Sequence, residues 1–328
     1  MSAAGRVLAL PAFLLSIALF YWSLPLAAIT NHVKFMEMRG RRADMYTWAR
    51  FMTRVFNVRI RKYGTQSMYK AGPAVYLCNH RSWADFFLDT LLTEGSAALM
   101  SRWLVYYVFP IFMTSCMVLR GVILFKRGSI ADKQKFNAWL DSMRAASPVP
   151  GLLVYPEGHR SIKPKSLPLK RGMLHYAHSR QLPVQLIISR GKENVLSEKQ
   201  RGVHWGVTVV TAYSEVLATS GKGFEEFATE VQACWDKLWD EVYAARASDL
   251  PLLVQDSVPD FDYSPLIRQQ QLVTTAASIV ILAAVLYATG SLLLAMTAMA
   301  GAVMQKVILS GLATWLTVSL LHSCLHSL

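Results

Sequence analysis

The sequence predicts an α/β protein: a largely parallel sheet flanked by helices, with an N-terminal membrane anchor and a C-terminal transmembrane helical hairpin. Three observations predict it. Between residues 63 and 214, short apolar runs rich in β-formers alternate with stretches of helical periodicity, the pattern of βαβ units. Residues 7–30 carry no charge. Beyond Arg268, Lys306 is the one Asp, Glu, Lys or Arg in the remaining chain.

Composition agrees. Of the 328 residues, 53% are hydrophobic and 17% charged, which departs from a soluble domain in the direction of membrane segments. A net charge of +13 favours an anionic partner. The basic residues lie beside apolar segments, so anionic lipid or a phosphorylated substrate fits better than nucleic acid. The cysteines Cys78, Cys116, Cys234 and Cys324 are scattered without paired spacing, which suggests neither a zinc site nor a disulfide framework and points to a reduced compartment.

Taken in order, residues 1–62 form the anchor and a basic amphipathic segment. The uncharged stretch is long enough to cross about 30 Å of hydrocarbon, although Pro11 and Pro25 would kink or end a helix, and a re-entrant insertion is the alternative. A cleaved signal peptide fits less well, because only Arg6 precedes the apolar run and no A-x-A site follows. In residues 32–62, Lys34, Arg39, Arg41, Arg42, Arg50, Arg54, Arg59, Arg61 and Lys62 face only Glu37 and Asp44. Interleaved Phe35, Trp48, Met52 and Phe56 fit either helices lying on a membrane surface or ordinary helices with a solvated face. Either way, the basic flank places this side in the cytosol.

Residues 63–247 form the α/β domain. Runs at 74–78, 118–125, 151–155, 182–189 and 203–213 read as strands. Residues 131–146 read as a helix, with Phe136, Trp139, Leu140 and Met143 at helical spacing. Residues 224–247 read as a long amphipathic helix whose Phe224, Phe227, Val231, Trp235, Leu238 and Val242 form a core stripe. Residues 248–270, with Pro251, Pro259 and Pro265, read as a linker. Residues 271–328 form the hairpin, divided near 301–306 or at Gly290-Ser291.

The stretch AVYLCNHRSWADFFL, residues 74–88, carries the first chemistry. A buried strand ends at Asn79-His80-Arg81. Ser82 then caps a helix, and Asp85 follows where its carboxylate can bond back to the cap N–H. A His outside the helix and an Asp inside its first turn can converge, and a carboxylate on one ring nitrogen sets the tautomer and stabilises the imidazolium. Asp85 could equally serve only as a cap. The second feature, YPEGHRS at 155–161, ends another strand. A glycine there lets the backbone approach a ligand, and Arg160, Lys163, Lys165, Lys170 and Arg171 follow with no acidic residue before Gly172. A solvated basic loop is the plainer reading. The third feature is GVILFKR, Gly121 to Arg127, a strand ending in positive charge. The fourth is Leu182-Pro183, at a strand's start.

These four blocks, in this order, resemble the glycerolipid acyltransferase family, the 1-acylglycerol-3-phosphate (lysophosphatidate) acyltransferases in particular. The resemblance covers residues 63–213 and implies an acyl-CoA-dependent O-acyltransferase of phospholipid biosynthesis. His80 would act as general base on the acceptor's free hydroxyl and Asp85 would orient it. Acyl-CoA would be co-substrate, with no cofactor, metal or acyl-enzyme. Gly121, Arg127, Glu157, Gly158 and Arg160 would hold the glycerol phosphate, with Pro183 in the fourth block. His159 replaces the family's usual Thr and could add a phosphate donor. Lys126 also departs from the family pattern. Both departures bear on the acceptor, which could be another lysophospholipid or glycerol 3-phosphate. A silent lipid-binding protein with the same fold is the alternative from another class. The tail resembles those of some eukaryotic members, which implies the endoplasmic reticulum.

Overall fold

The computed structural model describes residues 3–27, 44–126, 132–255, 264–298 and 301–325. At its centre is a seven-stranded sheet of β1 (Arg59–Tyr63), β2 (Val75–Cys78), β3 (Ala97–Arg102), β4 (Val122–Phe125), β5 (Gly151–Val154), β6 (Val184–Arg190) and β9 (Thr208–Tyr213), with β7 (Leu196–Ser197) and β8 (Gly202–Val203) as a small separate hairpin. The spatial order is β1-β9-β6-β2-β5-β3-β4. Every adjacent pair is parallel except β6 and β9.

Strands β2 and β5 are buried along their whole length. This is why they read as unbroken apolar runs rather than alternating ones: in a parallel sheet both faces are covered. From β2 the chain crosses over β5 to reach β3, and from β5 it crosses back over β2 to reach β6. The connections therefore leave neighbouring carboxyl ends in opposite directions, which opens a crevice there. Helix α3 (Asp85–Leu92), all of whose residues are buried, starts at the mouth of this crevice.

Helix α2 (Asp44–Val55) buries Met45, Tyr46, Trp48, Ala49 and Met52 and leaves Arg54 exposed. Its apolar face closes the protein core; residues 28–43 lie outside the described residues. Strand β1 comes from the same segment. Residues 250–253 run back along it, with Lys62 N–H to the Pro251 carbonyl at 3.0 Å and Leu253 N–H to the Ile60 carbonyl at 2.8 Å. The proline-rich stretch is thus bound to the sheet edge at its start. Strand β3 was not expected from the sequence. The run at 203–213 is divided between β8 and β9 by a turn with Gly206 at φ +80°.

Helices α4 (Trp103–Val108) and α5 (Pro110–Val118) follow β3; α6 (Lys133–Ala145) joins β4 to β5, α7 (Gly172–Ser179) precedes β6, and the short α8 (Lys192–Val195) follows it. Helix α9 (Phe224–Ala244) buries Phe227, Val231, Trp235, Leu238 and Val242 of the expected stripe, while Phe224 is only partly buried and stacks on His175.

Among the described residues, three helices are long and apolar enough to cross a membrane: α1 (Ala3–Ala27), α10 (Pro265–Ala298) and α11 (Ala302–Leu325). Helix α1 continues through both Pro11 and Pro25, and α10 runs unbroken through Gly290. Polar bonds tie the three together. Ala12 N–H, beside Pro11, donates to Ser319 Oγ at 3.0 Å, Thr275 Oγ1 donates to the Pro25 carbonyl at 2.8 Å, and Gln305 Nε2 donates to Thr297 Oγ1 at 3.1 Å. Helix α1 also enters the core. Its buried Phe20 stacks on Phe112 at 4.7 Å and meets Trp48, Phe86 and Phe109 edge-on.

Candidate active site

His80 lies two residues beyond β2, at the crevice. The backbone turns there because Asn79 is clamped to β6: its Nδ2 donates to the Ser189 carbonyl at 2.8 Å and its Oδ1 accepts the Ser189 N–H at 2.9 Å. The His80 carbonyl accepts the Ser161 N–H at 2.9 Å, and the His80 N–H donates to Glu157 Oε2 at 2.7 Å. The turn after β2 is therefore sewn to the turn after β5. The imidazole stacks on the Tyr155 ring at 4.0 Å and 12°, and its side chain stays 19% exposed, enough for a substrate atom to reach it.

His80 Nδ1 lies 2.7 Å from Asp85 Oδ2. The same oxygen accepts the Arg81 N–H at 2.5 Å and the Ser82 N–H at 3.0 Å. The expected cap bond from Asp85 to Ser82 N–H is thus present, although the helix itself starts at Asp85. One carboxylate oxygen performs both tasks. Burial alone would raise the Asp85 pKa, but Lys192, His80 and the Arg81 N–H outweigh it and hold the carboxyl below its usual range. An ionised carboxylate only accepts, so Nδ1 carries the proton and Nε2 keeps the lone pair. Burial lowers the His80 pKa; the bond and charge of Asp85 oppose this, and Arg160 and Lys192 add to it. The imidazole is neutral at pH 7, the form a base requires.

Glu157 is buried, and its Oε1 accepts no hydrogen bond among the described residues. Burial pushes its pKa up to about 7 against the opposing effects of the His80 N–H, Arg81 and Lys192. Gly158 sits at φ +76°, a conformation that disfavours a side chain, and its carbonyl accepts from Arg102 Nη2 at 2.6 Å. Arg160 is half-buried, with Nε 2.9 Å from Glu198 Oε1, and His159 is exposed on the same turn.

The structure therefore gathers His80, Asp85, Glu157, Gly158, His159 and Arg160 at adjacent carboxyl ends. It does not bring Gly121 and Pro183 there. Gly121 precedes β4 and Pro183 precedes β6, so each lies at the amino end of its strand, a strand's length from the crevice. Gly121 has a packing reason instead: a Cβ there would come within 2.7 Å of Met45 Cγ. The Pro183 carbonyl accepts the Val75 N–H at 2.9 Å, a ladder bond at the start of β2. Arg127 lies outside the described residues. Among those residues, no group of three or more His, Cys, Asp and Glu is placed to hold a metal.

Sequence reasoning missed Lys192 and Asp89. Both are buried, and Lys192 Nζ lies 2.7 Å from Asp89 Oδ1 and 3.4 Å from Asp85 Oδ1. Asp89 stands four residues after Asp85, on the same helix face. That spacing was the available signal; nothing local marks Lys192.

Residues 59–189 match the family model described as Acyltransferase. The resemblance to glycerolipid acyltransferases holds. A 1-acyl-sn-glycerol-3-phosphate acyltransferase of Cocos nucifera is 26% identical over 124 residues, 36% of this chain and 37% of that protein's length. The crystal structure of the 1-acyl-sn-glycerophosphate (LPA) acyltransferase PlsC from Thermotoga maritima superposes with a TM-score of 0.55, covering 73% of this chain and 96% of that one at 17% identity. At that identity the likeness shows the fold: a mostly parallel sheet flanked by helices.

Proposed function

We propose that this chain is a membrane-bound acyltransferase that moves an acyl group from acyl-CoA to the free hydroxyl of lysophosphatidate, giving phosphatidate. The observation that carries the reading is the pair formed by His80 Nδ1 and Asp85 Oδ2 at 2.7 Å, which leaves Nε2 basic and reachable. Nε2 takes the hydroxyl proton as the oxygen attacks the thioester carbonyl. Asp85 stabilises the imidazolium that forms, the C–S bond breaks, and the proton passes to the departing CoA sulfur. In this reading Arg160 and the Glu157-Gly158 turn receive the acceptor's phosphate, with His159 beside them. No cofactor, metal or acyl-enzyme takes part.

The three apolar helices support an integral membrane setting. The basic residues after α1 support a cytosolic catalytic face, and the family resemblance supports the endoplasmic reticulum. Acyl-CoA then arrives from solution and the lysolipid from the bilayer.

The deciding experiment is His80→Ala in membranes, supplied with labelled acyl-CoA and lysophosphatidate. Loss of phosphatidate formation is expected; retained activity overturns the mechanism. A second acceptor class belongs in the same assay, because Glu198 already answers part of the Arg160 charge. An acceptor whose phosphate carries a single charge asks less of that arginine. Other lysophospholipids and glycerol 3-phosphate should therefore be run in parallel. Lysolipid binding with no CoA release under any acceptor would instead establish a silent lipid-binding protein.

A further inference from the structure

Asp85 does not face His80 alone. Asp85, Asp89 and Lys192 are all closed off from solvent, and an ammonium in such a place requires a full set of partners. Lys192 Nζ has them. It donates to Asp89 Oδ1 at 2.7 Å and Oδ2 at 2.8 Å, and to the Asn79 carbonyl at 2.8 Å. Its distance to Asp85 Oδ1 is 3.4 Å, and that oxygen accepts no hydrogen bond among the described residues. The ammonium is thus bonded to one carboxylate and held short of the other. Asp89 reaches His80 by a second route as well: its Oδ2 accepts the Tyr155 hydroxyl at 3.0 Å, and the Tyr155 ring lies flat on the imidazole.

We propose that Asp89 and Lys192 are positioning residues for His80. Lys192 fixes the Asn79-His80 turn through the Asn79 carbonyl, while Asp89 keeps the ammonium from capturing Asp85 and holds Tyr155 against the imidazole. The inference rests on the reading of His80 as the base. Lys192 and His80 compete for the same carboxylate. Burial would lower the Lys192 pKa, but Asp85 and Asp89 outweigh it, so the lysine stays charged across the neutral range. Without Asp89, that charge moves onto Asp85, and the imidazolium loses its stabilising partner. The other groups around His80 are Glu157, whose Oε2 accepts its N–H, Tyr155, Arg160 and Arg81, the last held by Glu193 at 2.9 Å. Around Asp89 are Lys192, Asp85, Tyr155 and the buried Cys78, and burial pushes the Asp89 pKa up to about 7 against the opposing pull of Lys192.

The test is the pH dependence of kcat in nanodisc-embedded full-length protein, with acyl-CoA and lysophosphatidate, for the parent, His80→Ala, Asp89→Asn and Asp89→Asn/Lys192→Met. In Asp89→Asn the plateau falls at least about tenfold and the acidic limb moves to lower pH by about one unit, because the stray cation makes His80 less basic. In the double variant neither the cation nor its keeper remains and Asp85 serves His80 alone, so the limb returns at least to the parent position, while the rate recovers only in part because the Lys192 bond to the Asn79 carbonyl and the Asp89 bond to Tyr155 are gone. A merely structural role lowers the rate without moving the limb and leaves the double variant no better than the single one; either result overturns the proposal. If Asp89→Asn fails to fold, the double variant decides, and a folded double variant as inactive as His80→Ala also overturns it. A fully active His80→Ala would instead defeat the reading of His80, a separate and recognisable outcome.

Discussion

Replacing Asp85 by asparagine changes one atom of a side chain whose Oδ2 accepts three hydrogen bonds, from His80 Nδ1, Arg81 N–H and Ser82 N–H. If the amide oxygen keeps that place, the amide NH2 points toward the Lys192 ammonium, which lies 3.4 Å from Oδ1. If the amide turns over, a donor faces two backbone donors and the imidazole is forced into the wrong tautomer. In both orientations the negative charge is gone. An imidazolium and a carboxylate 2.7 Å apart interact by roughly 6 kcal/mol at an effective dielectric of about 20. With proton transfer partly complete in the transition state, about 3 to 5 kcal/mol of this is at stake, a fall in kcat of roughly 10²- to 10⁴-fold. The His80 pKa also falls further, since burial, Arg160 and Lys192 are no longer opposed. The measurement is kcat at saturating acyl-CoA and lysophosphatidate in nanodiscs, beside a thermal melt to establish folding. A folded variant within about threefold of the parent kcat would refute the argument that Asp85 stabilises the imidazolium.

Three further outcomes are expected. Glu157 holds its proton up to about pH 7 in the folded chain against the usual 4.5, so its contribution to stability is complete below about pH 4.5 and is lost as pH rises through about 7. Glu157→Gln removes that slope, on the order of 3 kcal/mol above neutrality, and melting temperatures of parent and variant that run parallel from acid to alkaline pH would contradict it. Gly121→Ala drives a methyl against Met45 and costs about 1 to 2 kcal/mol of stability, while KM for lysophosphatidate stays unchanged; a selective rise in that KM would return Gly121 to the substrate site. Arg160→Ala raises KM for lysophosphatidate about tenfold and leaves KM for acyl-CoA unchanged, and equal effects on both would place Arg160 elsewhere in the reaction.

The central strands were legible because burial on both faces leaves a plain apolar signature, as in VYLC and GLLV. Strand β1, RIRKY, hid inside a basic segment: an edge strand needs little apolar surface, and its pairing with β9 is a contact across the whole domain. Strand β3, AALMSR, has a composition that suits a helix equally well, and only its place between β4 and β5 makes it extended. The His80–Asp85 pair was readable because both members fall within one strand-turn-helix unit. Lys192 comes from the far side of β6, and no local pattern joins it to Asp85 or Asp89. Gly121 and Pro183 were drawn to the site by motif order, which carries no information about the end of a strand at which a residue sits.

Phe20 of α1 shares one aromatic cluster with Phe86, the neighbour of Asp85, and with Trp48 and Phe112. A membrane helix attached in this way is not a leash. The tilt of the crevice relative to α1 is set by ring packing, so whatever tips α1 must tip the crevice with it. For the same reason, cutting away the first 27 residues would open the wall against which α3 rests.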